Sequence, residues 1–242
     1  NRSWGHKEFY DGTAFAKNGV VLVSINYRLG ALGFLAHPAL SAESPRGVSG
    51  NYGILDQIAA LEWTQRNIAA FGGDPGNVTI FGESAGGTSV VALCSSPLSK
   101  GLFHKAIIQS PWMFGYIDEL ASPNIVKLKE AVSNTPSAEQ LGLDWAETKV
   151  VGSSAESLKA LRALAPSEIL DLVSYYRTRV TIDGWVLPDH PANVFAKGQQ
   201  ADVPVIIGTT RDEGAYFRGF VELERRDDLE KKLGAFYGRS AK

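Results

Sequence analysis

Ser84 lies in the run VTIFGESAGG (Val78 to Gly87), where four apolar or β-branched residues lead into a glycine-framed serine and a helical pattern follows from Thr88. Gly82-Glu83-Ser84-Ala85-Gly86 has the spacing GxSxG, and Gly87 extends the small-residue run. A strand-to-helix corner of this kind holds its serine in a strained backbone conformation. Side chains at the flanking glycines would strike the neighbouring strand or the following helix. The corner would lift the hydroxyl to the rim of a sheet as a nucleophile. The N–H of Ala85, at the positive end of the next helix, would then donate to a developing oxyanion. Glycine-rich turns of this shape also occur without catalysis, and five residues do not decide between the two readings. Glu83 has the same duality: a charge beside the nucleophile that tunes a base or a cationic substrate, or a structural hydrogen-bonding group.

A serine nucleophile needs a base and an acid. Where the serine follows such a corner, the chain order is serine, acid, histidine. Thr209-Thr-Arg-Asp-Glu-Gly214 follows the apolar run Val203 to Ile207 and offers Asp212 and Glu213. The residues alone do not choose between these carboxylates, and a plain surface loop is the bland alternative. The four histidines are His6, His37, His104 and His190, and none comes after Glu213. Each reads as structural, so the general base is expected outside these 242 residues.

The elements that must position these groups follow an α/β pattern. Val20 to Asn26 (VVLVSIN) reads as a strand buried on both faces of a mostly parallel sheet, and similar runs recur at Val78 to Phe81, Ala106 to Gln109 and Val203 to Ile207. Tyr52 to Ala70 carries the apolar spacing of a helix closed by Gly72 and Gly73. Strand, helix, strand, helix, strand implies parallel crossovers. Residues 111–200 break that rhythm with polar loops (Ser133 to Gln140, Gly152 to Ser157) and helical patches (Ala155 to Ala165, Pro166 to Tyr176). They read as a helical insertion between two sheet strands of a single domain. Leu223 to Lys242 has a charged, amphipathic helical pattern without a closing cap.

Bulk properties remove other classes. With 24 basic against 26 acidic residues, a net charge of −2 and no basic block, nothing marks a nucleic-acid or anionic-membrane partner. No apolar run approaches the ~18 residues of a spanning helix. Cys94 is the only cysteine, which excludes an internal disulfide and a thiolate metal site. Nothing in the sequence calls for a metal or an organic cofactor, and neither oligomeric state nor localisation is readable.

The stretch FGGDPGNVTIFGESAGG (Phe71 to Gly87) resembles the serine signature of the type-B carboxylesterase and cholinesterase family. YDGTAFA (Tyr10 to Ala16), INYRLGALGFL (Ile25 to Leu35), GNYGILDQIAALEW (Gly50 to Trp63), KAIIQS (Lys105 to Ser110), DGWVLPDHP (Asp183 to Pro191) and VPVIIGTTRDEGAYF (Val203 to Phe217) are similar to further family segments in the same order. The resemblance implies an α/β-hydrolase fold and hydrolysis of small-molecule carboxylic esters through an acyl-serine. It selects Glu213, in the DEG motif, as the acid. It implies that Arg28 and Asp56 form a buried ion pair, that Ser110 is a neighbour of the catalytic groups rather than one of them, and that Trp112 and Phe114 line the acyl pocket. Pro111 departs from the family's glycine at that point. The family's glycine-rich HGGG-type oxyanion loop would precede Tyr10, where only NRSWGHKEF stands. The sequence therefore reads as a central section of a longer enzyme, inert by itself. The lone cysteine points to the bacterial branch of the family.

Two other functions remain in view. A non-catalytic adhesion or binding protein can share the fold, although relatives of that kind have generally lost the serine. The same chemistry on a lipid, thioester or amide is the other, and pocket residues would decide it.

Overall fold

The computed structural model describes residues 8–111, 125–132, 135–147, 154–172 and 180–213. The chain opens with α1 (Thr13–Lys17), started by Asp11, whose Oδ1 accepts the Thr13 N–H at 2.9 Å. The next element is α2 (Gly30–Phe34), and α3 (Pro38–Glu43) follows, with proline in its first turn where no N–H is needed. Between α1 and α2 the expected strand Val20–Asn26 joins no β-ladder among the described residues. Val20, Val21, Val23 and Ile25 are 37–49% exposed.

The main helix, α4 (Tyr52–Asn67), buries Ile54 and Ile58 and tightens into a 3₁₀ turn at Ile68–Phe71. Gly72 stops it at φ 80°, a left-handed conformation open to glycine, and the Gly72 and Gly73 N–H groups donate to the last carbonyls. Next come β1 (Thr79–Glu83), α5 (Ala85–Ser95) and β2 (Lys105–Gln109).

The segment between β2 and the last sheet strand is more mixed than its composition suggests. It contains β3 (Ile125–Lys127), α6 (Ala138–Glu147), α7 (Ser154–Ala163), α8 (Pro166–Leu172), β4 (Val180–Ile182) and α9 (Pro191–Ala196). Helices α6 and α7 begin inside stretches expected to be loops, because Ser and Glu there serve in the helix starts. The Ser137 hydroxyl, for example, accepts the Gln140 N–H at 3.2 Å. Strands β3 and β4 pair in parallel, which the sequence did not announce. The Asn51 side chain imitates a further strand at this pair: its Nδ2 donates to the Thr181 carbonyl at 2.7 Å and its Oδ1 accepts the Thr181 N–H at 3.0 Å.

The last strand among the described residues, β5 (Val205–Gly208), joins a parallel sheet of order β1-β2-β5, in which Glu83, Gln109 and Gly208 are in register. Helix α5 covers one face, burying Ile80, Ala106, Ile108, Val90 and Val91 against Ile54 and Ile58 of α4. Ile125 and Val180 belong to this same core, so the inserted strands share it. The other face carries Phe81 at 48% exposure, and β5 is exposed throughout, against the expectation of strands buried on both faces.

Candidate active site

All three sheet strands run parallel, so their C-terminal ends lie along one edge, and one step past the register Glu83, Gln109, Gly208 stand Ser84, Ser110 and Thr209. Ser84 occupies the corner between β1 and α5 with φ 54° and ψ −114°, a conformation that non-glycine residues rarely hold. Its N–H donates to the Gln109 carbonyl at 2.9 Å, and its own carbonyl accepts the Thr88 N–H at 2.9 Å. The end of β2 and the first turn of α5 therefore pin the strained residue from both sides. Ala85 is the first residue of α5, where backbone N–H groups have no acceptor within the helix and the dipole is positive.

The glycines do not share one role. A Cβ at Gly82 would come within 2.4 Å of the Gly86 carbonyl carbon, and one at Gly87 within 2.5 Å of the Gln109 carbonyl oxygen. These two positions let α5 seat on β1 and β2. At Gly86, expected to be equally crowded, a Cβ would meet nothing within 4 Å among the described residues.

Glu213 lies five residues beyond β5, at the same edge as Ser84, and the ends of β1 and β5 are two strand spacings apart, about 10 Å. Its Oε2 accepts the Ser110 hydroxyl at 2.9 Å, the Thr210 hydroxyl at 2.5 Å, the Thr210 N–H at 3.2 Å and, more weakly, the Thr209 hydroxyl at 3.4 Å. The Thr210 hydroxyl first and the Ser110 hydroxyl second hold the carboxyl below its ordinary value, with burial acting the other way. Ser110 reaches across because it too has a left-handed backbone, φ 46°, anchored by its N–H on the Gly208 carbonyl at 2.8 Å. Of the two candidate carboxylates the structure brings Glu213 to the end of β2. Thr210 to Glu213 has the spacing of a capping box, in which a glutamate reaches back to the N–H of a Ser or Thr three residues earlier. Thr209 to Asp212 has the same spacing, but the Thr209 and Thr210 hydroxyls and the Ser110 hydroxyl all donate to Glu213.

The three described histidines are engaged in one common way. Nδ1 of His37 accepts the Ala39 N–H, Nδ1 of His104 the Val78 N–H, and Nδ1 of His190 the Ala192 N–H, each at 3.2 Å. A neutral ring that accepts at Nδ1 carries its proton on Nε2. A general base for a serine needs the opposite tautomer, Nδ1–H donated to a carboxylate and Nε2 bare. His37 illustrates the difference: its Nε2 lies 3.2 Å from the Ser157 hydroxyl in a fully buried setting, yet the ring is the donor there. Burial pushes both His37 and His190 below the ordinary histidine value, with Glu139 and Asp189 respectively opposing it. His6, Trp112 and Phe114 lie outside the described residues.

Arg28 and Asp56 meet as expected, through Nη2 to Oδ1 at 2.7 Å and Nε to Oδ2 at 2.8 Å, and Asp56 Oδ2 also accepts the Arg28 N–H at 2.9 Å. The pair is not buried, since the Arg28 side chain is 53% exposed. Burial pushes the Cys94 thiol up to about 11, which leaves it inert. Among the described residues no cluster of His, Cys, Asp or Glu could hold a metal ion, and no helix is long and apolar enough to cross a membrane.

Residues 2–237 match the model of the carboxylesterase family. The chain is 44% identical over 237 residues to the fumonisin B1 esterase of Sphingopyxis macrogoltabida, covering 95% of this chain and 41% of that protein. To the para-nitrobenzyl esterase of Bacillus subtilis (strain 168) it is 40% identical over 239 residues, covering 97% and 46%. The structure superposes on a thermophilic para-nitrobenzyl esterase with a TM-score of 0.76 at 32% identity, covering 98% of this chain and 47% of the other. It superposes on a carboxylesterase of Geobacillus stearothermophilus with a TM-score of 0.76 at 33% identity, covering 96% and 48%. The chain thus spans a little under half the length of these relatives. The parallel sheet with its strand-to-helix serine corner is the α/β-hydrolase fold, and by sequence and structure alike the chain belongs to the carboxylesterase family.

Proposed function

We propose that the protein of which these residues form part is a serine carboxylesterase acting on small-molecule esters. The observation that carries this reading is the shared sheet edge. A serine in a strained corner and a carboxylate fixed by hydroxyl donors stand two strands apart, with Ser110 between them. In this mechanism Ser84 Oγ attacks the ester carbonyl. The Ala85 N–H donates to the oxyanion, and Glu213 orients the imidazole that takes the serine proton and later returns it to the leaving alcohol. The base has to bridge the gap with one hydrogen bond of about 2.6–3.2 Å to each side. His37, His104 and His190 are not available for that position, because each already serves a backbone N–H through the nitrogen that would face the carboxylate. A histidine from another part of the parent protein is the base in this reading.

Labelling with a fluorophosphonate tests it. The parent protein is expected to take the label at Ser84 and to lose both label and p-nitrophenyl ester turnover in Ser84→Ala. A parent protein that leaves Ser84 unlabelled while folded returns the choice to a non-catalytic binding protein on the same fold.

A further inference from the structure

The carboxylate of Glu213 is held unevenly. All four donors that reach it, from Ser110, Thr209 and Thr210, converge on Oε2, and among the described residues no donor reaches Oε1. One residue, Thr210, supplies two of the four, its N–H at 3.2 Å and its hydroxyl at 2.5 Å, the shortest contact of the set. We propose that Thr210 is a positioning residue of this site: with Ser110 and Thr209 it saturates Oε2 of Glu213 and reserves Oε1 as the acceptor for the histidine ring N–H. The inference rests on reading Glu213 as the acid and adds how that acid is kept in one orientation.

The physical argument is one of competing acceptors. A carboxylate held by a single donor rotates about its terminal bond and offers either oxygen to a neighbouring ring. Hydroxyl donors packed on one oxygen remove that freedom and leave one oxygen with lone pairs to give. Ser110 and Thr210 approach from different strand ends, β2 and the turn after β5, so together they fix both the position and the rotation of the group. Thr209, at 3.4 Å, adds little. Thr210 needs no strained backbone to do this, because the three-residue spacing to Glu213 already brings the side chains together.

The test is a carbon-detected NMR titration of the Glu213 carboxyl in the 242-residue chain, for the parent sequence, Thr210→Val and Thr210→Ser. Thr210→Val keeps the N–H and the side-chain shape but removes the hydroxyl, and it is expected to raise the Glu213 titration midpoint. Thr210→Ser is expected to restore it. An unchanged midpoint in Thr210→Val, or a raised midpoint that Thr210→Ser fails to restore, overturns the assignment. Should Thr210→Val unfold the chain, Thr210→Asn, which keeps a side-chain donor, takes its place and is expected to keep a low midpoint; the ordinary glutamate value there would equally overturn the assignment. The titration involves no turnover, so it fails or succeeds independently of whether Ser84 is labelled.

Discussion

Two glycines four residues apart make a pair of single-methyl experiments with opposite expected signs. In Gly82→Ala the new Cβ would lie 2.4 Å from the Gly86 carbonyl carbon, 2.5 Å from its oxygen and 2.8 Å from its Cα. All three are backbone atoms, so no rotamer change relieves the clash. Because ordinary Cβ contacts lie at 3.4 Å or beyond, the start of α5 would have to retreat from β1 by about 1 Å to reach one. Forced overpacking of this kind costs about 1–3 kcal/mol. On the proposed mechanism the retreat also carries the Ala85 N–H away from Ser84, and a displacement of about 1 Å costs up to ~10²-fold in rate. In Gly86→Ala the Cβ meets nothing within 4 Å, and the residue lies in the first turn of a helix. The loss of unfolded-chain freedom is then expected to stabilise by about 0.4–1 kcal/mol. Urea denaturation of the 242-residue chain, followed by tryptophan fluorescence, should therefore separate the two variants by about 1.4–4 kcal/mol. If Gly86→Ala proved the less stable variant, or Gly82→Ala melted with the parent chain, the assigned division of labour between these glycines would be refuted.

Further outcomes follow from the same geometry. Ser84→Gly releases a residue held at φ 54° and should raise the unfolding free energy by about 1 kcal/mol while abolishing fluorophosphonate labelling; a less stable variant would show that the corner is not strained. Residues 1–242 alone should hydrolyse p-nitrophenyl acetate at a rate unchanged by Ser84→Ala, since loss of a histidine base costs about 10⁶ in turnover; a Ser84-dependent rate would mean that a histidine inside this chain serves. His37 is buried in its neutral form, so its folded value lies below the unfolded value of about 6.5. The unfolded chain binds that proton first. Its contribution is therefore complete above about pH 6.5 and lost as pH falls below it, by at most about 1.4 kcal/mol per pH unit. Denaturation midpoints at pH 7.5 and 5.0 should converge in His37→Asn, which keeps a cap acceptor for the Ala39 N–H; an unaltered difference would exclude His37 as its source.

The serine corner was legible because everything that makes it is local. An apolar strand, two glycines around a serine and a helix start lie within 18 residues of one another, and the strained φ of Ser84 follows from that arrangement. The strands β1, β2 and β5 were legible for a related reason, as short apolar runs bounded by turn residues. The caps made by His37 and His190 are local too: both sit in the tripeptide His-Pro-Ala, and each ring accepts the alanine N–H two residues on.

What the linear pattern left open depended on partners far along the chain. Val20–Asn26 has strand composition but joins no ladder among the described residues, while the three-residue β3 and β4 pair across 55 positions with too few residues to show a period. The freedom at Gly86 and the crowding at Gly82 and Gly87 come from how α5 lies on the sheet, which spacing does not encode. Asp212 and Glu213 are adjacent carboxylates with equivalent upstream threonines, and the residues that tell them apart are 103 positions distant in the contact between Ser110 and Glu213. A hydrogen bond is specified by the positions of two groups in space, and the sequence by itself determines such positions only within an element. The parallel sheet brings the ends of β1, β2 and β5 to one edge, and that step alone put a serine and a glutamate 129 residues apart, Ser84 and Glu213, on the same edge.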